Sequence, residues 1–508
     1  MKSAPFGEGA VYLDLDIEGD SGRAPRTLAA AAALRAAFPN ADVVVGAGTI
    51  VMVGGAGEEE ARAIAAPILA GPAPSLKEPR IHAIQAVYDG PDLAESAQAL
   101  GMKPEWLVRL HAGRYYVAEL LGFLPGFAYL GSVDDRLVLP RRTSPRPAVP
   151  AGSLGIAGSF TGIYPARSPG GWNLIGRALG VRLFDPTRDP PMLIAPGDLV
   201  RFVPVPAGDA DKDTPVELKQ TTVGFDDRVG SSRASLEITA STVCSTIQDQ
   251  GRPGQLGRGL PPGGPLDPFV FFAANKAVGN EPGAAAIEVM LGALRGRVRG
   301  DRILVSVDGA PAVNLKDGDE LRVEPNERAV RYVAVRGGLD VPALIGSRAT
   351  LLAARFGGFE GRPLRRGDRL AIGSDSGCGS PDPLHELPAL PQVATLEIDP
   401  GPHIDRFPAG ALDALLTTQW AVSRLADRVG VRLEGGKIPR DRPDLALPVP
   451  MRRGAVQVAT DGTPIVLGPE HPVTGGYPVL AIMRLSSQAE LARLRAGAPV
   501  RLRLGQSQ

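Results

Sequence analysis

Three arginines stand within a run of prolines: Arg141, Arg142 and Arg146 in LPRRTSPRPAVP (139–150). A guanidinium stays charged and presents a fork of N–H donors that matches a phosphate or a carboxylate. The neighbouring prolines remove backbone freedom before any ligand arrives. Glycine corners follow, with Gly152 and Ser153 in one and Gly170 and Gly171 in another. Such corners let backbone N–H groups approach an anion closely. This pattern predicts an anion site in which Arg141 and Arg146 act on the reacting group. The competing reading is that glycine and proline build barrel corners and the arginines are solvated.

The same kind of corner recurs. LGFLPGFAYLGS (121–132) carries Phe123, Pro125, Gly126 and Tyr129, and GIYPARSPGGWNLIGRA (162–178) adds Tyr164 and Trp172, all candidate binding residues. In STIQDQGRPG (245–254), Gln248, Asp249 and Arg252 share a turn, where Asp249 could bind Mg²⁺ or orient Arg252. Asp267 before Pro268 reads as a helix N-cap, with Gly279 ending that helix. Asn275 on it suits a buried structural amide or a ligand contact, and Glu288 opens or precedes the next strand. VRGGLDVPALIGSR (335–348) holds Arg336, Ser347 and Arg348 at two polar corners. IDPGPHIDRF (398–407) and HPVTGGYP (471–478) complete the set, the latter with Gly475, Gly476 and Tyr477. Arg141, Arg146, Asp249 and Arg252 are the catalytic candidates; the others, apart from Arg142 and the helix-capping Asp267 and Gly279, are candidates for binding.

Several chemistries are excluded by pattern. There is no phosphate-binding G-x-x-x-x-G-K-[ST], no G-x-S-x-G elbow and no H-E-x-x-H. His82, His111, His385, His403 and His471 are far apart, so no metal cluster is visible and none is expected. Cys244 and Cys378 read as two reduced thiols. Lys+Arg and Asp+Glu are both 55, without the basic excess of a nucleic-acid binder. No apolar run is long enough to span a membrane, and the start lacks an apolar leader core. A soluble, cytoplasmic protein without nucleic-acid or membrane partners is expected.

These residues need elements to hold them. With 508 residues, three or four domains are expected. The 63 glycines and 49 prolines punctuate short apolar runs, which suits strands and turns. Residues 1–80 read as a small α+β unit: a strand over 10–15, a helix over 27–38, and a strand or hairpin over 41–53. An alternating strand covers 81–88, with two short helices over 92–100 and 103–111. Residues 81–206 then read as a β-barrel and 207–235 as a polar linker. A second β-rich domain spans 236–378, a Pro/Gly/Ser-rich linker covers 374–392, and a last domain spans 390–508. GDLVRF (197–202), GDELRV (318–323), GDRLAI (367–372) and GAPVRLRL (497–504) form a weak internal repeat, hinting at modules that close alike.

The motifs resemble two known families. YDGPDL (88–93), LGFLPGFAYLG, PRRTSPRPAVPAGS, GIYPARSPGGWNLIGR and PGDLVRF resemble allophanate hydrolase subunit 1, also called the 5-oxoprolinase B-subunit or sporulation-kinase inhibitor family. TIQDQGRPG, AANKAVGN, VRGGLDVPALIGSR, FGGFEGRPLRRGD, DRVGVRLEG and TGGYP resemble allophanate hydrolase subunit 2, the 5-oxoprolinase C-subunit or inhibitor-antagonist family. The resemblance implies a mainly β fold with α+β parts. Cyclophilin-like barrels would stand in tandem, one in the first half and two in the second, after a small α+β N-terminal domain. It implies ATP-dependent opening of 5-oxoproline to glutamate with a separate third subunit, using ATP and Mg²⁺. Self-association into a homo-oligomer is left open. Two alternatives remain: a biotin-dependent carboxyltransferase on urea-like amides, for which this chain has no biotin attachment site, and a non-catalytic histidine-kinase inhibitor. The sequence departs from the second family at Ala349-Thr350-Leu351, at Pro450 to Arg453 and at Glu470, which puts that half's polar pocket in question.

Overall fold

The structure is a computed structural model that describes residues 1–20, 22–55, 57–75, 78–206, 233–242, 244–384 and 386–506. The first strands set the architecture. Lys2–Pro5, Ala10–Asp14, Thr49–Val53 and Asp42–Val45 form one antiparallel sheet in that order. Its alternating residues are apolar on both faces, so neither face suits water. Val11, Leu13, Ile50 and Met52 pack on helices Arg23–Ala37 and Glu58–Ala70, and on Leu120, Phe127, Tyr129 and Trp172 of the following barrel. Ala10, Tyr12, Val44 and Val51 pack on Val449, Met451, Val479 and Ile482 near the other end of the chain. The N-terminal unit is therefore a wedge between two barrels.

The expected hairpin over 41–53 is present. The first helix starts at Arg23, because Pro25 lies in its first turn, where an N–H is dispensable. Helix Glu58–Ala70 was not expected; Pro67 in its last turn reads as a breaker.

Seven strands close the first barrel: Phe160–Ile163, Ala128–Gly131, Tyr116–Leu121, Leu199–Pro204, Ile81–Val87, Asn173–Ala178 and Ser153–Ala157. Its last strand lies parallel to its first, Leu199 opposite Ile81. Seven more close the final barrel, and there Pro499–Leu504 runs parallel to Ala394–Pro400. The repeated GDLVRF and GAPVRLRL segments are these closing strands.

The region between them differs from the expectation of a third barrel. A four-stranded and a five-stranded sheet face each other across one core containing Leu236, Ile238, Val298, Ile287, Val305 and Val333. Its last strand, Arg369–Ala371, pairs with Ala234–Ser241 antiparallel, so the closure seen twice elsewhere is not repeated. The linker expected over 207–235 lies outside the described residues up to 232, and Ala234 already begins a strand. His385 also lies outside the described residues. Among those described, no helix is long and apolar enough to cross a membrane, and both cysteines are free.

Buried polar contacts lock the units together. Arg23 donates from Nε and Nη2 to the two oxygens of Glu119, at 3.0 and 2.8 Å, joining the first helix to the first barrel. Leu256 N and Gly257 N donate to the two carboxylate oxygens of Asp42, each at 2.8 Å. Phe184 packs at a tilt against Phe356, ring centres 5.1 Å apart. Arg428, 2% exposed at its side chain, lies between Glu288 and Glu470. Two of the family departures belong here: Glu470 pairs with Arg428 and also accepts from Leu352 N at 3.0 Å. Arg453 donates to the carbonyls of Pro265 and Leu266, at 3.1 and 2.6 Å. They are cross-braces between the middle region and the last barrel.

Candidate functional site

The first barrel's aromatic strand meets the last barrel's TGGYP turn. Gly122 is pressed against Thr474: a methyl group there would lie 1.8 Å from Thr474 Oγ1. Only glycine permits that approach. Next to it, Phe123 adopts φ +61°, a left-handed conformation rare for a bulky residue, and its ring packs edge-on against Phe127 and Tyr164. The Tyr129 hydroxyl faces Thr474, and burial pushes its pKa up. Tyr164 is pushed up to about 12 by burial, while its oxygen accepts the Trp172 backbone N–H. Both phenols therefore remain protonated donors at neutral pH.

Three guanidiniums surround this seam in different states. Asp92, 2% exposed, accepts Arg142 Nη1 at 3.0 Å and Arg146 Nη2 at 2.6 Å on Oδ1, and Leu174 N at 2.7 Å on Oδ2. Glu95 also takes Arg142 at 3.4 Å. Arg142 Nε and Arg146 Nη1 are buried without a hydrogen-bond partner among the described residues. Arg141 is exposed and makes no hydrogen bond or ion pair among the described residues. Its positive charge acts on both Tyr129 and Tyr164. A methyl group on Gly476 would lie 3.8 Å from Arg141 Nη1, so the glycine backbone and the guanidinium border the same space. Gly170 sits against Tyr164 Oη, and Gly171 O accepts Arg142 N at 2.8 Å. The result is a cationic, donor-rich ledge drawn from both halves of the chain, suited to an anion or an oxygen gaining negative charge.

Comparison with known proteins fits this two-part construction. Residues 1–194 match the family model of the carboxyltransferase domain, subdomain C and D; residues 258–504 match that of subdomain A and B. The C-subunit of 5-oxoprolinase from Escherichia coli (strain K12) is 32% identical over 282 residues, 52% of this chain and 89% of that protein. The chain is a fusion of these two carboxyltransferase-domain families. The first half of the fusion is 52% identical over 134 residues to the B-subunit of 5-oxoprolinase from Escherichia coli O157:H7, which is 26% of this chain. The chain spans 61% of that relative's length. Urea amidolyase of Lachancea kluyveri is 29% identical over 305 residues, 52% of this chain but 16% of that protein. The crystal structure of TTHA0988 superposes with a TM-score of 0.83 at 31% identity, covering 97% of the fusion and 99% of that chain.

Within the fusion, the seam gathers Phe123, Tyr129, Arg141, Arg146, Tyr164, Gly170, Gly171, Trp172, Gly475 and Gly476. Pro125 is buried, and Gly126 is packed on Phe184, where it shapes the turn. Gly152 N donates to Tyr164 O at 2.7 Å, and Ser153 O accepts Tyr164 N at 2.9 Å, so this corner holds Tyr164 from behind. Tyr477 is 36% exposed beside Gly476.

The remaining candidates lie in the middle region. Arg252 is 2% exposed; it donates to Leu344 O at 3.1 Å and Ala349 O at 2.8 Å and stacks 4.5 Å above Phe356. Burial lowers its pKa to about 10. Asp249 accepts Gly251 N at 2.8 Å, the Ser347 hydroxyl and Arg348 N, which closes a turn. Arg348 Nε donates to Val341 O at 2.9 Å. Gln248 is fully buried and donates to Thr246 Oγ1 at 2.9 Å. Arg336 Nη1 donates to Val278 O and Gly379 O, at 3.0 and 2.9 Å. Asn275 donates to Ala284 O at 2.9 Å, the structural alternative for that amide. Glu288 lies in mid-strand Ala286–Met290 rather than at its start, and accepts Leu266 N at 2.8 Å and Tyr332 Oη at 2.7 Å. Asp267 caps its helix, accepting Phe269 N at 3.1 Å. Most of these contacts are made within the fold rather than towards a ligand, with Gln248 Oε1 and Arg252 Nη1 left without a partner among the described residues. Two seam residues were not singled out from sequence. Asp92 stood within YDGPDL, and Thr474 within TGGYP.

Proposed function

We propose that this chain is a two-in-one component of an ATP-dependent 5-oxoprolinase, opening 5-oxoproline to glutamate together with a separate third subunit in the cytoplasm. One observation carries the reading: an unpaired guanidinium, Arg141, stands between two protonated phenols and a glycine turn contributed by the other half. Relatives of the two halves bear the names of the B- and C-subunits of 5-oxoprolinase.

A lactam carbonyl is a poor electrophile. Attack of its oxygen on the γ-phosphorus of ATP would form a C–O–P link and release ADP. Water would then add to that carbon and the ring C–N bond would break, its nitrogen taking a proton and an acyl phosphate remaining; a second water would release phosphate and leave the carboxylate. In-line phosphoryl transfer is served by positioning and by donors facing the developing charge. Arg141 would hold the transferred group. Arg146 and Arg142 would offer their remaining N–H groups, and Tyr129 or Tyr164 would donate to the lactam oxygen. Among the described residues, no three His, Cys, Asp or Glu side chains group as a metal cage. Asp92 is already engaged by two arginines, so Mg²⁺ would be carried by the nucleotide's phosphates.

The test is a coupled assay with the chain, a candidate third subunit, ATP, Mg²⁺ and 5-oxoproline, reading glutamate and ADP. Equimolar glutamate and ADP are expected, with neither formed when the chain is omitted. ADP without glutamate, or no ADP, overturns the reading. Similarity to urea amidolyase supports a second reading, carboxyl transfer to a urea-like amide. It requires a separate biotin carrier and would show as bicarbonate incorporation dependent on that carrier.

A further inference from the structure

The seam leaves IDPGPHIDRF unexplained. That stretch lines a different cleft of about 380 Å³, between the first strands of the N-terminal sheet and the final barrel. The loop 442–449 divides the two spaces: Leu445 N donates to Gly476 O at 2.8 Å on the seam side, while Leu445 to Leu447 line the cleft. Deep in the cleft, Tyr12 is 4% and His403 6% exposed. Val479 N donates to His403 Nδ1 at 3.1 Å, which leaves the hydrogen of the neutral ring on Nε2. His403 Nε2 then donates to Tyr12 Oη at 3.1 Å. The Tyr12 proton is left to donate, beside the buried Thr49 hydroxyl.

Charges of both signs flank that hydroxyl: Asp14, Asp405 and Arg406. Asp405 is drawn to Lys2 at 3.4 Å. Arg406 Nε is buried without a hydrogen-bond partner among the described residues. Asp14 accepts Asp16 N on Oδ1 at 2.9 Å, which leaves its other oxygen for a ligand. We propose that this cleft binds a small zwitterion of the α-amino acid class, its carboxylate on Arg406 and the Tyr12 hydroxyl and its ammonium on Asp14. A simple anion would meet Asp14 without compensation, and a simple cation would meet Arg406. A zwitterion satisfies both, and charge-assisted contacts to both ends fix its orientation. Binding stands on this geometry alone. A role in sensing product rests on the ring-opening reading, since that reaction releases such a compound.

Isothermal titration of the full chain with L-glutamate tests the site, with N-acetyl-L-glutamate and 5-oxoproline as ligands lacking the ammonium. L-glutamate should bind, and both comparison ligands should bind roughly tenfold more weakly or worse at this cleft. Arg406→Lys and Asp14→Asn should each weaken L-glutamate roughly tenfold, while Arg141→Ala in the seam leaves it unchanged. No L-glutamate binding, equal affinity for the N-acetyl form, or undiminished affinity in Asp14→Asn with a native melting curve overturns the proposal. Asp14→Asn decides alone if Arg406→Lys does not fold. Loss of ring opening in the coupled assay with L-glutamate binding intact would strike the catalytic reading and leave this one standing.

Discussion

Two sets of arginines, at 141–146 and at 252–348, carry the same local signature of glycine, proline and cation, yet the fold uses them differently. Arg252, Arg336 and Arg348 donate to carbonyls of their own region, Arg252 keeping one buried nitrogen, Nη1, without a partner among the described residues. Arg142 and Arg146 are gathered by one carboxylate with N–H groups left over, and Arg141 is left open at a boundary between barrels. Where the chain turns inside one unit, a guanidinium ends up satisfying backbone; where two units meet, it can remain available. Charge and corner alone do not separate the cases. What separates them is whether a second piece of chain arrives opposite.

The contrast can be broken most forcefully at Arg252. Arg252→Ala would leave buried carbonyls unsatisfied and empty the space over Phe356, costing about 3 kcal/mol or more of stability. Denaturant unfolding should show this, and a loss under about 1 kcal/mol would mean that the middle arginines are not structural. At the seam the expectation reverses. Arg141→Ala should change stability by only about 0.5 kcal/mol, but lower kcat/KM for ring opening by about 10²-fold in the coupled assay. A native rate would remove Arg141 from the chemistry.

Asp92→Asn should fall between these extremes. It keeps the acceptor for Leu174 N but loosens both arginines, with an expected cost of about 1–2 kcal/mol. KM for ATP should rise more than kcat falls; an unchanged KM would show that the arginines need no such holder.

The last test is the pH profile, which bears on buried histidines in both barrel regions. Burial lowers His403 and His471 to about 4 and His111 to about 3. Each ring is neutral in the fold, whereas an unfolded ring takes its proton near pH 6.5. Their contribution is therefore whole above about pH 6.5 and falls by about 1.4 kcal/mol per pH unit per histidine towards pH 4. Melting temperature should drop between pH 6.5 and 5, before most carboxylates titrate, and His403→Gln should flatten the slope.

The barrels were legible because β-strands announce themselves by short apolar runs between turns, and the repeated closing strands even hinted at a shared module. The missing third barrel was not legible. GDRLAI looks like GDLVRF, but whether such a strand runs parallel or antiparallel to its partner is decided by contacts more than a hundred residues away in the chain. At the site, the arginines and aromatic turn were visible from residue type. Asp92 was not, because a carboxylate in a turn reads as a local cap until the chain returns and brings Arg142 and Arg146 to it. The cleft at Tyr12 and His403 was still less visible, being assembled from the two ends of the molecule.

The doubly apolar first sheet has a consequence for manufacture. A polypeptide stopped after residue 206 would show water the side bearing Tyr12, Val44 and Val51, with no covering for it until a matching barrel diffused in. Any imbalance between separately made halves would then accumulate a sticky surplus. Joining them in one reading frame supplies one cover per sheet from the same ribosome, at an effective local concentration no free partner needs to match.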